Sequence, residues 1–94
     1  NGRSFESEAG YRVIVVPGNN GERILTLMKG GQTSELVISP ERDVRLYRLS
    51  GVDGETLDDG IIADQHVREA ERLLADGQLD GEDPNTPQQY EFNV

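Results

Sequence analysis

Cysteine and tryptophan are both absent from this chain of 94 residues, and Lys29 is its one lysine. Without cysteine the chain has neither disulfides nor thiolate metal ligands. Aromatic residues make up 5% of the sequence, so a hydrophobic core would be mainly aliphatic. The longest uninterrupted apolar run covers residues 13–16, whereas a helix needs about 20 such residues to cross a bilayer. We therefore expect no membrane insertion in this segment.

The source of the chain is not evident from its composition. It begins with Asn1 and has no recognisable signal peptide, which suggests a trimmed or processed chain from which a signal or anchor could have been removed. Its acidic, arginine-rich composition fits a halophile and a GC-rich genome equally well. The compartment in which the protein works therefore stays open.

The net charge of −9 is unevenly distributed, and the balance changes near Gly51. Residues 1–50 carry seven basic and six acidic side chains, whereas residues 51–94 carry two basic and twelve acidic ones. Nucleic acids and anionic membranes repel an acidic protein. The charge therefore argues against nucleic acid as a partner and fits a basic protein partner, self-association or simple solubility.

Apolar segments in the first half of the chain have the length and spacing of β-strands. The predicted strands comprise residues 11–16, 22–29, 33–39 and 44–49. Turn-forming residues separate them at Pro17–Gly21, at Gly30–Gly31 and at residues 40–43. Short links between consecutive strands predict an antiparallel meander over residues 11–49, with residues 1–10 as a loose arm.

An amphipathic helix is predicted over residues 61–76, after an acidic linker over residues 50–60. Apolar residues recur on one face of this helix at Ala63, Val67, Ala70 and Leu74. Thr56 together with Asp59, or either Asp58 or Asp59 alone, would cap its start, and Gly77 would end it in a left-handed conformation.

The fold class that follows is α+β, within a single small domain over residues 1–94. It consists of a four-stranded antiparallel meander, one C-terminal amphipathic helix packed on it and an extended polar tail over residues 77–94. Residues 90–94 alternate in the manner of an edge strand. Because the apolar face of the helix is small, we expect a second copy, a partner or the terminal segments to complete the cover of the sheet.

His66 is the only histidine and the one residue typical of a catalytic base. Asp64 and Glu69 are close to it in sequence, but a helix does not hold either carboxylate reliably against the imidazole. No serine lies in a G-x-S-x-G motif. We interpret His66 as a residue at the edge of the helix–sheet contact, and we predict no catalytic residue, no enzymatic activity and no cofactor.

The segment that follows the predicted helix partly resembles a calcium-binding loop. Its first, third and fifth ligand positions are occupied by Asp76, Gln78 and Asp80. The twelfth position, which requires a bidentate glutamate, is Pro87. These three residues are therefore weak metal candidates, and the alternative is a helix end followed by a solvated acidic turn.

The linker and the end of the chain supply the candidate partner-binding residues Asp53, Glu55, Asp58, Asp59, Phe92 and Val94. The linker carboxylates would meet a cation or a basic partner, or would form a solvated loop that favours the positive end of the helix. Residues 92–94 have an apolar-x-apolar pattern that a peptide-binding groove accepts by strand addition.

We therefore predict a non-enzymatic protein–protein interaction module. It would use a face or an edge of the sheet together with the acidic C-terminal half of the chain. Two alternatives stay open. One is a structural component of a larger envelope or phage assembly, and the other is a weak calcium-binding protein or small metal-dependent enzyme.

Overall fold

A computed structural model describes residues 2–80 of the chain. Five antiparallel strands form one sheet in the order in which they occur along the chain. They are β1 (Arg3–Glu6), β2 (Arg12–Pro17), β3 (Arg23–Lys29), β4 (Gln32–Ile38) and β5 (Val44–Ser50). The helix α1 (Gly60–Ala75) follows and packs on one face of the sheet. The predicted α+β fold, an antiparallel meander with one C-terminal helix, is confirmed.

The first strand is the main difference from the prediction, because residues 3–6 of the expected loose arm are β1. The sheet therefore has five strands rather than four. Phe5 pairs with Val13 and packs against the core. One large apolar residue gives almost no alternation in sequence, but it is enough to attach a short strand once β2 offers a free edge.

The link between β3 and β4 shows why its sequence forms a tight hairpin. Gly30 and Gly31 both have positive φ, at 60° and 83°, and Lys29 pairs with Gln32 across the turn. A two-residue turn with two positive φ angles matches the twist of the strands it joins, and glycine adopts it without strain. A Cβ atom on Gly31 would also lie 2.8 Å from the side chain of Val52, so a larger residue there would have to displace that side chain.

The core lies between α1 and the inner face of the sheet. The buried apolar residues are Tyr11, Val13, Val15, Leu25, Leu27, Leu36, Ile38, Ala70, Leu73, Leu74 and Leu79. The opposite face carries the apolar residues Ile14, Val16, Ile24, Met28 and Val37 among polar ones, and no helix or strand of residues 2–80 packs on it. The single helix therefore covers one face, as its narrow apolar stripe indicates.

The two ends of α1 are set by local signals. Asp59 is the N-cap, and its Oδ1 accepts hydrogen bonds from the main-chain N–H groups of Ile61 and Ile62 at 3.1 and 3.2 Å. At the other end Gly77 has a φ of 76° and donates to the carbonyl of Leu74, while Gln78 donates to that of Leu73. This pair of bonds is a Schellman motif. Both predicted termini are correct to within one residue.

The N-cap gives a first testable prediction. Replacing Asp59 with alanine leaves two N–H groups of the first turn without their acceptor, so we expect the free energy of unfolding to fall by about 1 kcal/mol. Urea denaturation followed by circular dichroism measures this. Asp58→Ala is the matched control, because it removes the same charge beside the helix without removing the cap. Equal losses in the two variants would show that charge, and not capping, is responsible.

Three arginines hold the C-terminal end of α1 against the sheet. They donate to main-chain carbonyls, from Arg3 to Gln78, from Arg23 to Leu79 at 2.6 Å and from Arg42 to Leu74 at 3.0 Å. Cationic groups are favourable at this end of a helix, where the carbonyls carry partial negative charge. Asp80 lies between two of these arginines, 2.9 Å from the guanidinium of Arg23. We call Arg3, Arg23 and Arg42 the arginine clamp.

Candidate functional site

The outer edge of β5 presents main-chain groups that no other strand of residues 2–80 uses. Ser39 N–H donates to the carbonyl of Asp43 at 2.9 Å, and this bond fixes the alternation of hydrogen bonds along the β4–β5 hairpin. By that alternation the N–H and C=O groups of Val44 and Leu46 point away from β4. Within residues 2–80 no segment forms a main-chain hydrogen bond to them from that side. Within the described part of the chain, the first half of β5 is therefore a free edge.

The second half of β5 is covered by the chain that follows it. Ser50 pairs with Thr56, and the N–H of Leu57 donates to the carbonyl of Leu49 at 2.8 Å. The predicted linker thus runs back beside the strand before it enters α1. The free edge ends where this returning segment begins, and it is confined to residues 44–47.

A depression of about 260 Å³ lies between this edge and the beginning of α1. Its apolar lining consists of Leu46, Leu49, Leu57 and Ala63, and its polar lining comprises Tyr47, Arg48, Thr56, Asp58 and Asp59. We call it the β5 groove. A strand placed beside β5 would direct alternate side chains into it, toward α1.

A β-bulge limits how far such pairing can extend. Leu46 pairs with Leu36 and Arg48 pairs with Glu35, so Tyr47 has no residue opposite it. Its side chain is 78% exposed. Bulges increase the local twist and are a common way of protecting an edge strand from indiscriminate pairing. A partner strand is therefore restricted to the stretch that contains Val44 and Leu46.

The predicted acidic residues of the linker fall into two sets. Asp58 and Asp59 line the β5 groove. Asp53 and Glu55 lie in the adjacent loop, where the carboxylate of Glu55 accepts a hydrogen bond from the N–H of Asp53 at 3.0 Å. Arg48 also lines the groove, where its guanidinium donates to the carbonyl of Gly54 at 2.8 Å. Residues 49–67 add five carboxylates and neither lysine nor arginine, so carboxylates outnumber basic side chains at this end of the groove.

The remaining predicted partner-binding residues, Phe92 and Val94, lie outside the described residues, as does the predicted edge strand at 90–94.

The weak metal candidates Asp76, Gln78 and Asp80 lie within the described residues, and arginine side chains contact each of them. Asp76 pairs with Arg72 at 2.9 Å, and the arginine clamp binds Asp80 and the carbonyl of Gln78. Between residues 2 and 80 no group of three or more histidine, aspartate or glutamate side chains could hold a metal ion.

A second group of polar side chains lies between α1 and the sheet. His66 is 2% exposed, and its Nδ1 is 2.5 Å from the Oγ of Ser34, which has no exposed surface. Tyr11 packs edge-to-face against the imidazole, with 5.1 Å between the ring centroids. We call Ser34, His66 and Tyr11 the buried polar cluster. His66 thus lies inside the helix–sheet contact rather than at its edge.

Sequence reasoning missed Ser34, although a signal was present. Ser34, Leu36 and Ile38 alternate along β4 and share its inner face, so Ser34 is a polar residue among buried apolar ones. A buried hydroxyl needs a hydrogen-bonding partner. The partner is on α1, 32 positions further along the chain, and that distance concealed the pair.

The environment of His66 keeps its imidazole neutral. Burial lowers the pKa of His66, and the positive charge of Lys29 lowers it further. The ammonium group of Lys29 donates to the carbonyl of Ala9 at 2.7 Å and lies over the ring of Tyr11. A serine beside a neutral histidine has the elements of a nucleophile, but a nucleophile must also reach its substrate. Because Ser34 has no exposed surface, the pair acts in this arrangement as a hydrogen-bonded link between helix and sheet.

Glu69 is a further buried ionisable group, on the same helix. Its side chain is 6% exposed, and both of its oxygens accept hydrogen bonds from Arg72, at 3.1 and 2.7 Å. Burial alone would raise the pKa of Glu69. Hydrogen bonds from Arg72 and Ser7, together with the positive charges of Arg72 and Lys29, outweigh that effect and lower the pKa. Glu69 therefore remains a paired carboxylate at neutral pH.

The chain matches no protein-family model, no curated protein and no solved structure. No helix within residues 2–80 has both the length and the apolar character needed to cross a bilayer. The function therefore has to be inferred from the β5 groove and the groups around it.

Proposed function

We propose that this protein is a non-enzymatic protein–protein interaction module whose β5 groove receives an extended segment of another protein. The observation that supports the proposal is the free edge at Val44 and Leu46 beside an apolar depression. An added strand satisfies the free N–H and C=O groups, and the depression selects its side chains. This is the geometry of recognition by β-strand addition.

The other edge of the sheet is a poorer candidate. β1 contains only Arg3–Glu6, and very short edge strands are one of the ways in which proteins prevent unwanted pairing. Arg3, at its start, is also part of the arginine clamp. We therefore assign strand addition to β5 alone.

The expected affinity is modest. The N–H and C=O groups of Val44 and Leu46 would form main-chain hydrogen bonds of about 0.5–1.5 kcal/mol each. Two apolar side chains buried in the groove would add about 1.5–3 kcal/mol each. Association and ordering oppose this by about 4–15 kcal/mol. Only the most favourable of these values leave about 8 kcal/mol of binding free energy, so we expect transient binding with a Kd no lower than about 1 μM.

A peptide that alternates valine and threonine tests the proposal. We expect acetyl-Lys-Lys-Val-Thr-Val-Thr-amide to shift the ¹H–¹⁵N resonances of Val44, Leu46 and Ala63 in the full chain, while those of β1 remain unchanged. Ala63→Trp should abolish these shifts because the indole fills the groove. Gln65→Trp is the matched control, since Gln65 is an exposed residue of the same helix outside the groove.

Methylated peptides separate strand addition from simple adhesion. Methylation of both valine nitrogens removes the N–H groups that would face Val44 and Leu46, and we expect binding to be lost. Methylation of the threonine nitrogens, which face away from β5, should preserve it. Shifts confined to other surfaces, or equal binding of the two methylated peptides, would refute the proposal.

A further inference from the structure

We infer that the segment received by the β5 groove runs antiparallel to β5 and carries a lysine or arginine one or two positions before two alternating apolar residues. This inference rests on the proposed function and specifies the partner. Three observations lead to it, namely the face on which Val44 and Leu46 place their side chains, the point at which the free edge ends and the charges at that point.

The apolar positions follow from the pleat of β5. The side chains of Val44 and Leu46 pack against the core, on the face of the sheet that α1 covers. Residues directly opposite them in an added strand would point to the same face, where Leu57 and Ala63 line the groove. The residue between those two would face Arg45, on the solvent side. The groove therefore accepts an apolar-polar-apolar sequence.

The position of the basic residue follows from where the free edge ends. Past Leu46 the edge of β5 is occupied by Thr56 and Leu57, so an added strand ends beside Asp58 and Asp59. Among residues 2–80 no arginine, lysine or histidine lies within ion-pairing distance of either carboxylate. The exposed ring of Tyr47 lines the same end of the groove and offers a face to a cation.

The direction of the partner strand decides whether the basic residue precedes or follows the apolar pair. An antiparallel strand brings its earlier residues to Asp58 and Asp59, so a basic residue there precedes the apolar pair. A parallel strand would bring its later residues to this end, and a free terminal carboxylate there would be repelled. Antiparallel pairing is also slightly more stable per residue.

Two peptides that differ in charge alone test the inference. The probes are acetyl-Lys-Lys-Val-Thr-Val-Thr-amide and acetyl-Glu-Glu-Val-Thr-Val-Thr-amide, titrated into the full chain at low salt. We expect the glutamate peptide to bind about tenfold more weakly, and the difference to shrink as salt is added. A spin label on the second lysine position should broaden the resonances near Asp58 rather than those near Val44, which reports the direction of the strand.

A matched pair of variants locates the charge effect. Asp58→Asn with Asp59→Asn removes both groove carboxylates and retains a cap, since asparagine caps a helix about as well as aspartate. We expect this variant to bind the two peptides almost equally. Asp53→Asn with Asp64→Asn removes the same net charge outside the groove lining and should preserve the preference.

The possible outcomes separate this inference from the proposed function. If both peptides shift β5 equally, or the glutamate peptide binds more tightly, the basic-partner inference is wrong while strand addition stands. If neither peptide shifts β5, the proposed function fails as well. If the resonances of β5 move on dilution without peptide, a second copy of the chain occupies the groove. If they move on Phe92→Ala substitution, the end of this chain occupies it. Either result would overturn the inference.

Discussion

Lowering the pH from 7.5 to 5 should reduce the free energy of unfolding by up to about 2 kcal/mol through His66 alone. Burial and Lys29 lower the pKa of His66 in the folded protein below the value of about 6.5 for an exposed histidine. The unfolded chain therefore binds the proton first as the pH falls. The neutral imidazole makes its full contribution to the free energy of unfolding above pH 6.5. This contribution is lost as the pH falls from 6.5 to the pKa of His66 in the folded protein.

The groups that surround His66 explain why its imidazole resists protonation. The Nδ1 of His66 and the Oγ of Ser34 share one proton in their short hydrogen bond. A doubly protonated imidazole would force the hydroxyl of Ser34 to donate elsewhere, and the carbonyl of Leu27 is 3.5 Å away. Tyr11 adds an aromatic edge, and Lys29 adds a like charge. Glu69 contributes in a separate range, because its lowered pKa places the loss of its stabilising effect below pH 4.5.

The measurement is urea denaturation of the full chain at several pH values, with His66→Gln as the control. Glutamine keeps a hydrogen-bonding group beside Ser34 and does not titrate. Acid also relieves repulsion in a chain of net charge −9, which raises stability in both proteins equally. The difference between the two curves is therefore the diagnostic quantity. Parallel curves from pH 7.5 to 5 would mean that His66 is protonated without consequence, in contradiction to its buried position.

Leu73→Ala should destabilise the protein by about 2–5 kcal/mol, the usual range for a fully buried leucine. Leu73 has no exposed surface and lies on the one helix that covers the sheet. Native domains are stable by only about 5–15 kcal/mol, so this substitution removes a large fraction of the total. We expect a partly unfolded population at 37 °C, visible as reduced helical circular dichroism.

Ile61→Ala is the matched control for this substitution. It truncates an aliphatic residue of the same helix that is 74% exposed, so we expect a change within about 0.5 kcal/mol. Thermal and urea denaturation of both variants give the comparison. A loss below about 1 kcal/mol for Leu73→Ala would indicate that α1 is only loosely docked on the sheet.

Local signals made most of the fold predictable. The hairpin at Gly30–Gly31, the cap at Asp59 and the helix end at Gly77 each depend on residues within a few positions of one another. β1 was missed because its attachment depends on a contact between Phe5 and a strand that follows it, and not on a pattern of its own.

The site was less predictable than the fold because it is assembled from non-local contacts. Sequence reasoning proposed a sheet face or edge, but could not select one. The selection depends on residues 51–57 folding back along β5 and on the bulge at Tyr47. A glycine-rich acidic linker does not predict that the chain folds back along β5, and the alternation of Val44–Leu49 does not predict a bulge. Asp58 and Asp59 were predicted as acidic linker residues, but their place in a groove became visible only in three dimensions.

The order of the elements has a consequence during synthesis on the ribosome. The sheet is complete in sequence at Ser50, whereas everything that covers its inner face, from α1 to Leu79, is translated later. At about 5–20 residues per second, roughly 1.5–6 seconds separate the two. For that time the nascent chain carries the leucines of β3 and β4 without their helix, and it is then most exposed to aggregation and to chaperones.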